Sequence, residues 1–257
     1  MTTSSARAHS FNAAAAAYAA NRPSYPQTLL DEIEDVAGRP LAGARVADVG
    51  AGTGIATTLL HERGARVVAV EPGDGMAEQF RRGLPDVPVV RGDGNHLPLA
   101  DASADLITYA QAWHWTDPAR SAPEAMRVLR PGGALALWWN IPDHEVAWIA
   151  DQDARIHRFF DTSRATTGRS AAHGSSDRSR EMSGGLDLIC RSVRWSRRIP
   201  IDVHLANLAS HSMFLVAGER TTTEFMRAER AVLTGLFPAG SVDEDYTVDL
   251  SIALKPS

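Results

Sequence analysis

The chain has 257 residues, 44% of them hydrophobic, which suits one α/β domain with an insertion or a small cap. A formal charge of −5 argues against a nucleic-acid binder, whose surface is ordinarily basic. One cysteine, Cys190, excludes an internal disulfide, and no apolar run approaches the roughly 20 residues that span a bilayer. The first nine residues lack an apolar signal core, so the default expectation is a cytoplasmic protein, monomer or homodimer, with no membrane partner.

In chain order, residues 11–20 are alanine-rich and helical by propensity. Phe11, Ala15, Tyr18 and Arg22 share one helical face, and Pro23 stops the run. Residues alone favour a packing helix with a buried aromatic pair. Residues 27–37 predict a second helix. The stretch from Arg45 to Ile55 then reads as a short apolar strand entering a glycine turn, with a helix over 56–62 that Gly64 stops. Gly50, Gly52 and Gly54 leave room for a ligand to lie against backbone N–H groups at a helix N-terminus. A second buried strand, 66–71, ends in Glu71. A carboxylate there can accept hydrogen bonds from both hydroxyls of a ribose. Nicotinamide dinucleotides and S-adenosylmethionine both carry such a ribose, so the glycines decide. A dinucleotide fingerprint needs Gly or Ala three residues past the second glycine; here Ile55 stands there, and Gly54 comes one residue early.

Residues 73–82 predict a third helix carrying Met76, which serves equally as core. Asp93, Gly94 and Asn95 make a tight polar turn after the third strand. The fourth strand covers about 104–109 and leads into Ala110, Gln111 and the run Trp113-His114-Trp115. The fifth strand, about 134–139, ends in Trp138-Trp139-Asn140. Side chains alternate along a strand, so only one tryptophan can face a pocket, and the choice falls on Trp139 with Asn140. Residues 143–160 predict a helix, and 161–185, rich in Ser, Thr, Arg and Gly, a surface loop that is either lid or linker. A strand within 186–203, helices over 204–217 and 219–237, and a strand over 242–254 complete the chain. Arg191, Arg194, Arg197 and Arg198 read as a solvated strand face. His/Cys/Asp/Glu spacing suggests no metal site.

Asp48 followed by Gly-x-Gly-x-Gly, the run Val89 to Gly94, the run Leu97 to Ile107, Gln111 to Trp115 and Glu124 to Gly133 occur in one order. Together they resemble the class I S-adenosylmethionine-dependent methyltransferases, within the small-molecule group that contains the trans-aconitate and ubiquinone/menaquinone methyltransferases. The resemblance spans about residues 11–140. It implies an α/β, Rossmann-like fold: a seven-stranded, mostly parallel sheet with helices on both faces and a helical substrate cap. It also implies a division into an N-terminal lid segment (1–26), a cofactor-binding core (27–140) and a continuous region of cap helices, loop and last two strands (141–257). The implied cofactor is S-adenosylmethionine, held by Asp48, Gly50, Gly52, Gly54, Ile55, Glu71, Pro72, Met76, Gly94, Asn95, Ala110 and Gln111, with Asp93 at the adenine amino group. The segment Arg22-Pro23-Ser24-Tyr25-Pro26 resembles one that closes over the site, which makes Tyr18 and Arg22 candidates for the methionine carboxylate or an acidic substrate. Tyr25, Trp113, Trp115, Trp139, Asn140 and His211 become the expected substrate contacts.

Methyl transfer from a sulfonium is an in-line displacement, so the protein mainly aligns donor and nucleophile and excludes water. A hydroxyl, amine or acidic carbon also needs a base, and His114 is the candidate because imidazole titrates near neutral pH. Its bland alternative is a packed structural residue between two tryptophans. The tryptophans suggest an apolar acceptor, with oxygen or carbon favoured over nitrogen. Three rivals remain: an enzyme that uses the same cofactor without transferring methyl, as in a cyclisation; an NAD-dependent oxidoreductase, which Ile55 and Gly54 disfavour; and a non-catalytic ligand-binding module, which the intact set of cofactor residues argues against.

Overall fold

The structure is a computed structural model that describes residues 19, 21–161 and 184–257. Tyr18, the first expected helix apart from Ala19, and most of the 161–185 loop lie outside the described residues. Seven strands form one sheet in the order β3-β2-β1-β4-β5-β7-β6. In chain order these are β1 (Arg45–Val49), β2 (Arg66–Glu71), β3 (Val89–Arg91), β4 (Ala104–Ala110), β5 (Leu129–Pro142), β6 (Ile189–Pro200) and β7 (Ser241–Leu254). The first five pair in parallel, whereas β7 runs antiparallel between β5 and β6.

A parallel sheet must be covered on both faces, which explains the near-continuous apolar runs of β1, β2 and β4. On one face Leu29, Leu30 and Ile33 of α1 (Gln27–Ala37), Leu59 and Leu60 of α2 (Ile55–Glu62), and Phe80 of α3 (Asp74–Gly83) pack on Val46, Leu106, Ala136 and Trp138. On the other, Ala122, Ala125 and Val128 of α4 (Pro118–Val128) pack on Ala47, Ile107, Leu135 and Leu137. Trp138 and its neighbour Trp139 therefore look in opposite directions. The α1 helix ends at Gly38, whose φ of 62° is the left-handed C-cap that glycine accepts without strain.

The C-terminal region departs from expectation at its boundaries. β5 starts at Leu129 because Pro131-Gly132-Gly133, a turn by composition with Gly132 at a φ of 70°, is bonded to the end of β7 and stays within the strand: the Gly132 N–H donates to the Lys255 carbonyl at 3.1 Å, and the Lys255 N–H to that of Gly133 at 2.8 Å. α5 begins at Ala147 rather than 143. The expected helix over 204–217 is two helices, α6 (Ile201–Ala209) and α7 (Ser212–Ala217), broken at Ser210 and His211. α8 (Glu219–Leu236) follows, and α6 to α8 form the link between β6 and β7. Phe214, Phe225, Leu208 and Ile156 give these helices an apolar centre of their own. Among the described residues no helix is long and apolar enough to cross a membrane.

Candidate functional site

Two cavities open at the C-terminal ends of the parallel strands, where ligands bind in sheets of this kind. They share Gln111.

The first, about 180 Å³, is built on the glycine turn. The N–H groups of Gly50 and Ala51 both donate to the Val70 carbonyl, which folds the turn back over β2. The three glycines do different jobs. A Cβ on Gly50 would lie 2.6 Å from the Ala112 Cβ, and one on Gly54 would lie 2.7 Å from Leu84 Cδ1, so those two let protein pack closely. A Cβ on Gly52, at φ +59°, would meet nothing within 4 Å, so this backbone faces the open cavity.

Glu71, only 6% exposed, forms the cavity wall. Its two oxygens accept from the Gly52 N–H at 2.8 Å and the Gly73 N–H at 2.7 Å. Burial raises its carboxyl above the usual range, while the two N–H donors partly offset this. Each carboxylate oxygen has a further lone pair, enough to accept from a diol. Pro72, Met76, Asp93, Gly94, Asn95 and Ala110 also line this cavity, with Gly50, Gly52 and Gln111. Asp93 Oδ1 accepts from the Asn95 N–H at 2.7 Å, and Asn95 Oδ1 accepts from the Asp117 N–H at 2.7 Å and the Ser121 hydroxyl at 3.0 Å, fixing the polar turn to α4.

The second cavity, about 280 Å³, lies between the sheet and the C-terminal helices. Arg22, Asn140 and His211, all expected at the site, line it. Its apolar wall includes Trp148, Ile149, Ile156 and Leu208. Its polar wall is a buried network absent from the sequence reading. Glu244, 2% exposed, accepts from Arg197 Nε at 2.7 Å and from the Tyr246 hydroxyl at 2.9 Å, and pairs with His204 Nδ1 at 2.6 Å. The far side of His204 meets the Gln152 amide, which donates to Glu229 at 3.0 Å; Glu229 also pairs with Arg155. Burial pushes the Glu244 carboxyl up, but the His204 hydrogen bond and the Arg197 charge outweigh it and leave the group below the usual range. His211 is pushed down to about 3 by burial, with the charges of Arg22 and His204 adding to the shift, so its imidazole is neutral at pH 7.

Several expected site residues lie elsewhere. Asp48 is fully buried beneath the turn and lines neither cavity; it accepts from Thr57 at 2.5 Å and Thr108 at 2.8 Å, tying β1 to α2 and β4. Burial raises its carboxyl to about 6, against the opposing hydrogen bonds. Gly54 and Ile55 shape the start of α2 without lining a cavity. Trp113 is a core residue, edge-on to Tyr109 at 4.7 Å, and Tyr25 is edge-on to Trp138 at 5.7 Å. Trp115 lines the first cavity rather than the second.

His114 and Trp139 require correction. Both lie outside the two cavities: His114 is exposed, and its Nδ1 accepts from Trp139 Nε1 at 3.2 Å. Neutral imidazole has one lone pair, which this bond occupies, and neither side chain lines a cavity. Arg197 also differs from its expected solvated face, because Glu244 draws it inward. Arg191, Arg194 and Arg198 stay exposed, beside Glu32, Glu145 and Asp243. Tyr109, Ala112 and Thr116 of the first cavity were missed next to recognised motifs. His204, Asn207, Glu244 and Tyr246 of the second carry no local motif, and only the sheet order brings them together.

Residues 47–137 match a family described as a methyltransferase domain. An uncharacterized methyltransferase of Mycobacterium tuberculosis H37Rv is 46% identical over 149 residues, which cover 58% of this chain and 59% of that protein. A demethylmenaquinone methyltransferase of Beutenbergia cavernae is 38% identical over 96 residues, 37% of this chain and 40% of the relative. The chain thus spans about three-fifths or less of the length of these curated relatives. Among solved structures, a candidate type II methyltransferase from Anaeromyxobacter dehalogenans superposes with a TM-score of 0.65 at 26% identity, covering 91% of this chain and 97% of that one. Phosphoethanolamine N-methyltransferase 2 of Haemonchus contortus, solved with S-adenosyl-L-methionine, shares the fold at a TM-score of 0.53 and 15% identity over 97% of this chain and 60% of its own.

Proposed function

We propose that the chain is a class I S-adenosylmethionine-dependent methyltransferase and that it methylates a small organic molecule held in the cavity beneath the C-terminal helices. The observation that carries the reading is the meeting of two cavities at Gln111: one with a buried diol-accepting carboxylate, the other with an apolar wall facing a buried polar network.

The first cavity fits S-adenosylmethionine by its own chemistry. Glu71 suits the ribose, the open Cβ position of Gly52 suits close approach of the ligand to backbone, and Met76 with the Asp93-to-Asn95 turn suits an adenine with its amino group. The cofactor supplies an activated methyl group on a sulfonium. The chain then has to bind, orient and exclude water. Gln111 faces both cavities from a left-handed backbone at φ 57°, a conformation that non-glycine residues adopt at a cost and that recurs at functional sites. Its Nε2 donates to the Asn140 carbonyl at 3.3 Å, so the residue between the cavities is tied to the end of β5.

Oxygen or carbon acceptors remain the favoured class, and a hydrophobic wall of Trp148, Ile149 and Ile156 suits a ring-sized apolar body. The second cavity, about 280 Å³, falls just below the range of roughly 300–1,000 Å³ for drug-sized ligands, so the acceptor is small. The test is an acceptor screen read by S-adenosylhomocysteine formation together with a mass gain of one methylene on the acceptor. Methylated product supports the reading. Conversion of an acceptor without S-adenosylhomocysteine would replace it with the non-methylating alternative.

A further inference from the structure

We infer that the side-chain oxygen of Gln111 receives the sulfonium methyl of the cofactor where the two cavities meet, so that this residue favours S-adenosylmethionine over S-adenosylhomocysteine. The inference rests on the reading of the first cavity as the cofactor site. Among the described residues Gln111 alone lines both cavities. A methyl group carried from the first to the second has to cross at this side chain.

The orientation of an amide is ambiguous unless a partner decides it, and here one does. Gln111 Nε2 lies 3.3 Å from the Asn140 backbone carbonyl oxygen, which can only accept. The NH2 half is therefore committed, and Oε1 is the half left over. Among the described residues Oε1 has no protein partner, and it is not sealed: the unpartnered side-chain atoms that solvent does not reach lie on other residues. With Gln111 half-buried on the lining, this oxygen is open to the cavity. The backbone points the same way. Gln111 sits at φ 57°, where the adjoining turn uses Gly50 and Gly52 without steric cost. Its N–H donates to the Trp138 carbonyl at 2.9 Å, a bond that asks nothing of the side chain. A glutamine kept there at a cost argues for a use of its amide.

A positive sulfur draws electrons from its methyl group, which makes the C–H bonds donors toward a carbonyl oxygen. Without the methyl, the neutral thioether meets the same oxygen lone pair to lone pair, with no hydrogen between them. Gln111 Oε1 thus tells the charged cofactor from its neutral product and favours release of the product. Glu71 and Asp93 also line the first cavity and attract a cation, but a change at residue 111 leaves their pull as it is.

The test is a calorimetric titration of S-adenosylmethionine and of S-adenosylhomocysteine, each alone, into the whole protein as wild type, Gln111→Leu and Gln111→Asn. Thermal melts report whether each variant keeps the fold. Gln111→Leu retains a side chain of similar volume and removes the oxygen. Gln111→Asn, a residue that visits left-handed backbone readily, draws the oxygen back by one methylene and decides alone if Gln111→Leu does not fold. Both variants are expected to weaken S-adenosylmethionine roughly two- to fivefold more than S-adenosylhomocysteine. Loss of the Asn140 bond or of cavity wall lowers both affinities by one factor. Equal losses for the two ligands, or no loss for either, would therefore overturn the inference and leave the cofactor reading intact. Binding of neither ligand to wild type would remove the cofactor reading and the inference with it.

Discussion

Gln111 gives the sharpest test of how the site is built, because its backbone strain and its side-chain contact can be removed separately. A left-handed conformation at a non-glycine residue costs about 1–2 kcal/mol. Gln111→Gly removes that strain, loses the 3.3 Å bond to the Asn140 carbonyl, worth about 1 kcal/mol, and adds roughly 0.5–1 kcal/mol of chain entropy to the unfolded state. The net change is within about 1 kcal/mol of zero. Gln111→Ala loses the same bond but keeps the strained backbone, so it falls about 1 kcal/mol below wild type. In a chain of this length that separates its melting temperature from wild type by roughly 2–4 °C. Urea denaturation of the three proteins gives the ranking, and titration with S-adenosylhomocysteine shows the cost to the site: both variants are expected to bind more weakly, since each removes a cavity wall. If Gln111→Ala proves more stable than Gln111→Gly, the left-handed backbone stores less strain than the extra chain entropy of glycine and the argument fails.

Three further outcomes follow from buried charge and from the corrected position of His114. The Asp48 carboxyl is raised in the fold to about 6 from an ordinary 3.8, so the native state holds its proton longer than the unfolded chain. Stability from this group is therefore full below pH 3.8 and is lost as pH rises through 6, by roughly 3 kcal/mol. Asp48→Asn should remove that slope, and identical pH profiles for the two proteins would show that the carboxyl titrates normally. Glu244→Gln unpairs Arg197 and His204 inside the C-terminal region and is expected to cost about 3 kcal/mol at pH 7. Because the Glu244 carboxyl is held below its usual range, the gap to wild type should close as pH falls through the acid range; a variant as stable as wild type at pH 7 would mean the network contributes nothing. His114→Ala should leave S-adenosylhomocysteine affinity and turnover near wild type, losing only the surface bond to Trp139. A large fall in turnover with unchanged affinity would restore His114 as the base.

Much of the core was legible because its signals are local. The strands β1, β2 and β4 are short apolar runs, Gly50 to Gly54 form a continuous turn, and Glu71 ends the adjacent parallel strand. What failed were inferences about where a side chain points. Trp113, His114 and Trp115 are consecutive, yet a single 3-10 turn sends one to the core, one to the surface and one to the first cavity. The alternation argument put Trp138 and Trp139 on opposite faces, but the outer face at Trp139 turned out to hold His114 rather than the second cavity. The second cavity was the least legible. Asn207, His204 and Glu244 come from a helix and a strand about 40 residues apart, and meet only because β7 inserts between β5 and β6.

The most direct test of the central claim is a calorimetric titration of S-adenosylhomocysteine and of NAD into wild-type protein and Gly52→Val. The cavity account predicts that S-adenosylhomocysteine binds wild type at one site, that NAD does not bind, and that Gly52→Val abolishes binding, because a side chain there enters the open space beside Glu71 and strains a backbone at φ +59°. Binding of NAD in place of S-adenosylhomocysteine, or full S-adenosylhomocysteine affinity in Gly52→Val, would contradict it.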